Sequence, residues 1–192
     1  VVKLNRIYTR TGDGGRTRLA TGEPRPKNDP RVSAYGSVDE TNACLGLARL
    51  HAGADPLLDE ILARVQNDLF DLGADLATPD AGEKLAFEPL RITAGQVARL
   101  EREIDAINAE LEPLESFVLP AGSPLAAHLH LARTVCRRAE REAVALSGTA
   151  GEAVSGEAIQ YLNRLSDLLF VAARRANDNG RRDVLWKPGA TR

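Results

Sequence analysis

His128–Glu142, HLHLARTVCRRAERE, is the stretch whose reading decides the fold. Leu125, Leu129, Ala132, Cys136, Ala139, Ala143 and Leu146 recur through and around it at alternating steps of four and three, which predicts a helix with a core-facing seam. Beside that seam His130, Arg133, Arg137 and Glu140 repeat at three and four and line a neighbouring stripe. Such a stripe can meet a polyanion without disturbing the packing behind it. A solvated charged face gives the same pattern and is the default for an isolated basic helix, so the rest of the chain has to decide.

Working outward, Ser123-Pro124 caps this helix, which runs to about Leu146. Upstream, Ser116-Phe117-Val118-Leu119 is extended in type and Pro120-Ala121-Gly122 turns the chain. Phe117 either plugs the core or walls a site beside the helix. Downstream, Ser147–Gly156 is a connection, and a last helix runs from about Glu157 to Asn177 with Ile159, Leu162, Leu165, Leu169 and Ala173 inward. Asn163, Asp167 and Phe170 share another of its faces. Asn177-Asp178-Asn179-Gly180 ends it, and the tail through Trp186-Lys187-Pro188 reads as irregular.

Toward the N-terminus, Thr93 and Gln96 form a capping box ahead of Val97, Leu100, Ile104, Ile107 and Leu111. Residues 79–92 are a loop. Asp55-Pro56 opens a helix to about Leu76, and Asp29-Pro30 opens one from about Arg31 to His51. On that first helix Gly36, Asp39, Ala43, Gly46 and Leu50 share a stripe whose small residues permit close approach of a second helix. Asp39, the one charge there, calls for a cationic partner unless it is simply solvated. Residues 1–30 lack helical periodicity. Ile7-Tyr8-Thr9 and Thr17-Arg18-Leu19 are β-prone runs around Thr11–Gly15, which suggests a hairpin-like loop whose open N–H groups suit phosphate. The alternative is a flexible arm. It is neither a Walker A nor a Rossmann turn.

Composition agrees with five helices. The chain has 192 residues, 43% hydrophobic but only 4% aromatic, so its core is built from Leu, Ala, Val and Ile, which favours helix packing over a sandwich. The expected organisation is one all-α domain over 1–192, with an arm at 1–30, a helical bundle at 31–177 and a tail at 178–192. A net charge of −2 supplies no global field for nucleic acid, so any anion site is a local gathering of Arg and Lys. Cys44 and Cys136 lack disulfide or zinc spacing and read as buried thiols in a reducing compartment. No run of about 18 apolar residues and no signal-peptide h-region is present, so a cytoplasmic protein with no membrane span is expected. The lack of an initial Met leaves a processed N-terminus or a removed leader open.

Six blocks, in order, give the chain a resemblance. Thr9-Arg10-Thr11-Gly12-Asp13-Gly14-Gly15-Arg16-Thr17 resembles the N-terminal T-K-T-G-D-x-G-x-T signature of the PduO-type ATP:cob(I)alamin adenosyltransferases. Arg25-Pro26-Lys27-Asn28-Asp29 and Ala34-Tyr35-Gly36-Ser37-Val38-Asp39-Glu40 are similar to that family's R-x-x-K-D-D and A-Y-G-x-x-D-E blocks. Phe117–Pro120, Arg133–Arg141 and Tyr161–Asp167 match the rest. Arg10 stands where Lys is usual and Asn28 where Asp is usual; Arg10 keeps the charge but changes the donor geometry.

The resemblance implies a five-helix bundle forming a homotrimer with active sites at subunit interfaces. It implies transfer of the 5′-deoxyadenosyl group of ATP to the cobalt of reduced cobalamin, releasing triphosphate. By it, Thr9, Arg10, Thr11, Gly12 and Thr17 would wrap the triphosphate and Lys27 would add a point charge. Arg137, Arg138, Glu140, Arg141 and Asn163 would complete the nucleotide site, with Mg²⁺ bridging phosphates and no protein metal ligand assigned. Asp39 and Arg133 would form an inter-subunit ion pair near the corrinoid, and Phe117 would block cobalt's lower axial position. A corrinoid reductase or a B12-dependent enzyme is the implied partner class. The nucleophile is cobalt, so the absence of a Ser–His or Cys–His pair fits, and His51, His128 and His130 are not needed as acid or base. Two rival readings are a nucleic-acid or polyphosphate binder, against which charge and aromatic scarcity weigh, and a purely structural bundle, which leaves the Gly-rich arm and Asp39 unexplained.

Overall fold

The computed structural model describes residues 7–80 and 85–192. In chain order these form β1 (Arg16–Arg18), β2 (Pro24–Pro26), α1 (Pro30–Arg49), α2 (Pro56–Leu76), α3 (Ala94–Asn108), α4 (Pro124–Ser147) and α5 (Gly156–Ala176). The caps read from sequence start the helices where expected. Asp29, Asp55 and Ser123 each cap a helix whose first turn holds proline, Ser155 caps α5, and Thr93 with Gln96 closes a reciprocal box. Each such cap contributes about 1 kcal/mol.

α4 packs on α1 and α5; α2 packs mainly on α1, and α3 on α5. Both partners of α4 run antiparallel to it. Ser37 donates to Glu142 at 2.6 Å and Arg138 pairs with Glu40, while His51 stacks on His128 at the other end. Ser123 donates to the Ala176 carbonyl at 2.9 Å, and Cys136 Sγ to that of Leu162 at 3.3 Å. All seven residues of the α4 seam are buried. His130 is buried too, only 1% exposed, with its ring against Phe170, so it does not belong to the polar stripe. A helix gripped from two sides buries a wider arc than a single-partner seam, and His130 falls inside it.

α1 departs from its expected seam. It buries Ala34, Val38, Thr41, Leu45 and Ala48, whereas Gly36, Asp39, Ala43 and Leu50 face outward. A Cβ added at Gly36 would meet nothing, so no helix of the same chain approaches there. The hairpin also lies later than expected. Arg16 pairs with Pro26, Thr17 with Arg25 and Arg18 with Pro24, and the reversal falls at Leu19–Glu23 around Gly22, φ 87°. Leu19 is buried and anchors it, while residues 7–9 are not part of a strand. The tail is better ordered than its composition suggested: Leu185 bridges Val118, and Trp186 N donates to the Phe117 carbonyl at 2.8 Å.

Several charges are buried where periodicity predicted only apolar contact. Asp68 accepts from the Tyr161 hydroxyl and from Gln96, both at 3.0 Å, and pairs with Arg99, tying α2 to α5 and α3. Asp75 takes Arg91 at 2.7 Å and the Ile92 N–H at 2.9 Å, which pins the end of the 79–92 loop. Among the described residues no helix is long and apolar enough to cross a membrane.

Candidate functional site

The residues singled out from sequence fall into three groups. The first is the arm. Thr9 and Thr11 share a hydrogen bond at 2.8 Å, and Arg10 between them adopts φ 62° with its guanidinium 5.6 Å from the Tyr8 ring. A left-handed non-glycine residue costs about 1–2 kcal/mol. A Cβ at Gly12 would lie 3.1 Å from Lys27 Nζ and 3.3 Å from the Arg16 carbonyl, so glycine lets the Lys27 ammonium sit against bare backbone. Lys27 makes no ion pair among the described residues. Thr17 lies beside Tyr35, whose hydroxyl burial raises above its ordinary pKa against the lowering effect of Thr17.

Arg25, from the second signature block, is structural. It reaches Glu23 at 2.8 Å, Asp29 at 3.1 Å and Glu152 at 2.7 Å. Arg31, 1% exposed, holds the same Glu152 at 2.6 Å and the Leu76 carbonyl at 2.7 Å. Burial pushes the Glu152 carboxyl up, but the two arginines outweigh it and hold it below its ordinary value. This clamp fixes the base of the arm to α1, α2 and the α4–α5 connection.

The second group is the middle of α4 and α5. Arg137 is exposed and has no ion pair among the described residues. Arg141 donates to its carbonyl at 3.0 Å, and Arg138 pairs with Glu40 on the surface. Glu140 accepts from Asn163 Nδ2 at 2.9 Å, and Asn163 Oδ1 accepts from Arg164 at 3.1 Å. Glu140 therefore orients Asn163. No hydrogen bond or ion pair among the described residues joins this group to Thr9–Gly12, Thr17 or Lys27.

The third group surrounds a cavity of about 780 Å³ lined by Leu114, Phe117, Val118, Arg133, Phe170 and Trp186, among others. Phe117 is 77% exposed, so it is a wall and not a core plug. Its ring lies 6.0 Å from that of Trp186, at 55°. Arg133 Nε is buried with no hydrogen-bond partner, and burial, then the neighbouring Arg137, lower its pKa. Asp39 does not meet it within the chain: it lies exposed beside a groove with Tyr35, Gly36, Leu69 and Phe70. Trp186 was missed from sequence because the segment it bonds to, 117–119, is distant in the chain and too short to show periodicity.

Fold and site define a helical bundle with an aromatic-walled cavity beside a cationic helix face. The cobalamin adenosyltransferase family profile matches residues 7–176, and the chain belongs to that family. The corrinoid adenosyltransferase of Mycobacterium tuberculosis is 52% identical over 191 residues, spanning 100% of this chain and 97% of its own length. That of Bacillus subtilis is 42% identical over 175 residues, 90% of this chain and 86% of its own. Among solved structures, a Phe-to-Ala variant of the PduO-type ATP:corrinoid adenosyltransferase from Lactobacillus reuteri, complexed with cobalamin and ATP, superimposes with TM-score 0.84 at 38% identity, covering 95% of this chain and 99% of that one. An Arg-to-Lys variant of the Lactobacillus reuteri enzyme, complexed with ATP, gives TM-score 0.84 at 39% identity over 94% of this chain and 100% of its own.

Proposed function

We propose that this chain transfers the 5′-deoxyadenosyl group of ATP to the cobalt of cob(I)alamin, giving adenosylcobalamin and triphosphate. The observation that carries the reading is the open cavity walled by Phe117 and Trp186, with Arg133 at its edge and Arg137 one turn further along α4, neither in an ion pair among the described residues. In the transfer a cobalt–C5′ bond forms with cobalt's electron pair, and the C5′–O bond breaks. The leaving triphosphate takes that pair. Arg137, Lys27 and the arm's N–H groups stabilise its charge, with Thr9, Thr11 and Thr17 as further donors. Arg138 and Arg141 flank it, and Glu140 holds Asn163 toward the nucleotide. Mg²⁺ enters as part of the nucleotide substrate.

The working unit in this reading is a homotrimer. No hydrogen bond or ion pair among the described residues joins the arm to the α4 arginines or pairs Asp39 or Arg133, and Leu47, Leu50, Phe70 and Leu131 are exposed. A neighbouring copy bringing Asp39 to Arg133 would satisfy both charges. Residues 1–192 act as one domain of arm, bundle and tail, in the cytoplasm, served by a corrinoid reductase or passing product to a B12-dependent enzyme. The test is an anaerobic assay with chemically reduced cob(I)alamin, ATP and Mg²⁺. Adenosylcobalamin and triphosphate in equal amounts are expected; neither appearing overturns the proposal.

A further inference from the structure

Of the three aromatic residues that line the cavity, Phe170 stands on α5, but Phe117 and Trp186 stand on no helix. Phe117 belongs to the loop before α4 and Trp186 to the tail after α5. The two segments are tied at the rim by Leu119 N to the Val184 carbonyl and Trp186 N to that of Phe117, both 2.8 Å, and by Ser116 Oγ to that of Trp186, 2.7 Å. Two short loops holding each other do not fix a ring separation. They need a rigid base, and one lies beneath them.

Arg174, at the end of α5, pairs with Asp183 at 2.8 Å, the two side chains 6% and 2% exposed. Arg174 also donates to the Glu112 carbonyl at 2.8 Å, where the Phe117 loop leaves α3. Asn177 donates to the other Asp183 oxygen at 3.1 Å and to the Ala121 carbonyl at 3.3 Å, and accepts from Ser123 N at 2.9 Å. The node therefore grips both ends of the Phe117 loop and the root of the Trp186 tail. Two glycines are shaped around it. A Cβ at Gly122 would lie 2.2 Å from Asn177 Oδ1, and one at Gly180 would lie 2.7 Å from Arg174 Nη2.

We propose that Asp183, acting through Arg174 and Asn177, is a positioning residue that sets the spacing of Phe117 and Trp186, and so governs displacement of cobalt's lower ligand more than transfer itself. This rests on the adenosyltransfer reading. An already reduced cob(I)alamin has no lower ligand to displace and is insensitive to the spacing; cob(II)alamin requires it.

The test uses the full-length protein and Asp183→Asn, which keeps size and removes the charge. With ATP, Mg²⁺ and cob(II)alamin under anaerobic conditions, electron paramagnetic resonance reads the ratio of four-coordinate to five-coordinate cobalt. That ratio is expected to fall about tenfold, while the rate from pre-reduced cob(I)alamin stays within about threefold of the parent. A lower melting temperature with an unchanged ratio means the node is merely structural and overturns the proposal, as does equal loss on both substrates. Should Asp183→Asn not fold, Arg174→Lys, which keeps the charge but cannot hold both Asp183 and the Glu112 carbonyl, is read by the same ratio, with a fall supporting and no change overturning. Failure of the parent protein to act on cob(I)alamin would instead remove the functional reading itself.

Discussion

At the scale of the residue, the chemistry turns on whether a cation is free or already partnered. Arg25, Arg31, Arg91, Arg99 and Arg174 are bound into ion pairs with carboxylates of their own chain, whereas Arg137 is not. Arg137→Ala is expected to lower kcat about 100-fold with helical circular dichroism unchanged; near-parent turnover would remove it from the site. Arg138 is less exclusive, since its surface pair with Glu40 is worth at most about 1 kcal/mol and opens readily. Phe117 gives a second prediction. Because it is exposed to the cavity, Phe117→Ala should leave the melting temperature nearly unchanged while slowing the reaction from cob(II)alamin about tenfold more than that from cob(I)alamin. Equal slowing would count against its axial role.

At the scale of the element, four of the five helices were legible because each begins with a local chemical signal, Asp-Pro, Ser-Pro or a Thr/Gln box ahead of an apolar period, and α5 was legible from its apolar period alone. Those signals act within one turn, so tertiary structure did not overrule them. What was not legible depends on contacts between distant residues. The displaced hairpin turned on burial of Leu19, the ordered tail on pairing with 117–119, and the buried His130 on α4 having two partners. Arg31, at the start of α1, is buried against Glu152 from across the fold, a contact that no local pattern announces. Arg31→Ala leaves that carboxylate with Arg25 alone and should cost about 3–5 kcal/mol, read as a fall in melting temperature of about 10 °C. The same clamp sets a pH dependence. The folded Glu152 carboxyl titrates below its unfolded value of 4.5, so its contribution is present above that pH and is lost as pH falls through the folded value. Thermal scans between about pH 6 and 3 should show a steeper loss for the parent than for Glu152→Gln, which lacks this titration.

At the scale of the whole molecule, Asp39 and Arg133, neither in an ion pair among the described residues, supply a direct test of assembly. Asp39→Arg and Arg133→Asp should each lower activity about 100-fold, by placing like charges together or leaving one uncompensated. The double variant should regain most of it, with the proposed trimer seen in light scattering. Additive loss would show that the two residues do not face each other across copies.

Cys136 lies at the centre of α4, fully enclosed, its Sγ turned to the Leu162 carbonyl and its thiol pushed well above the ordinary range by burial. A reagent that labels thiolates therefore has no route to it while α4 and α5 remain together. The chain thus carries an internal clock: the rate at which Cys136 is modified reports how often the two helices that frame the aromatic cavity part, and a bound corrinoid that fastens them should slow it.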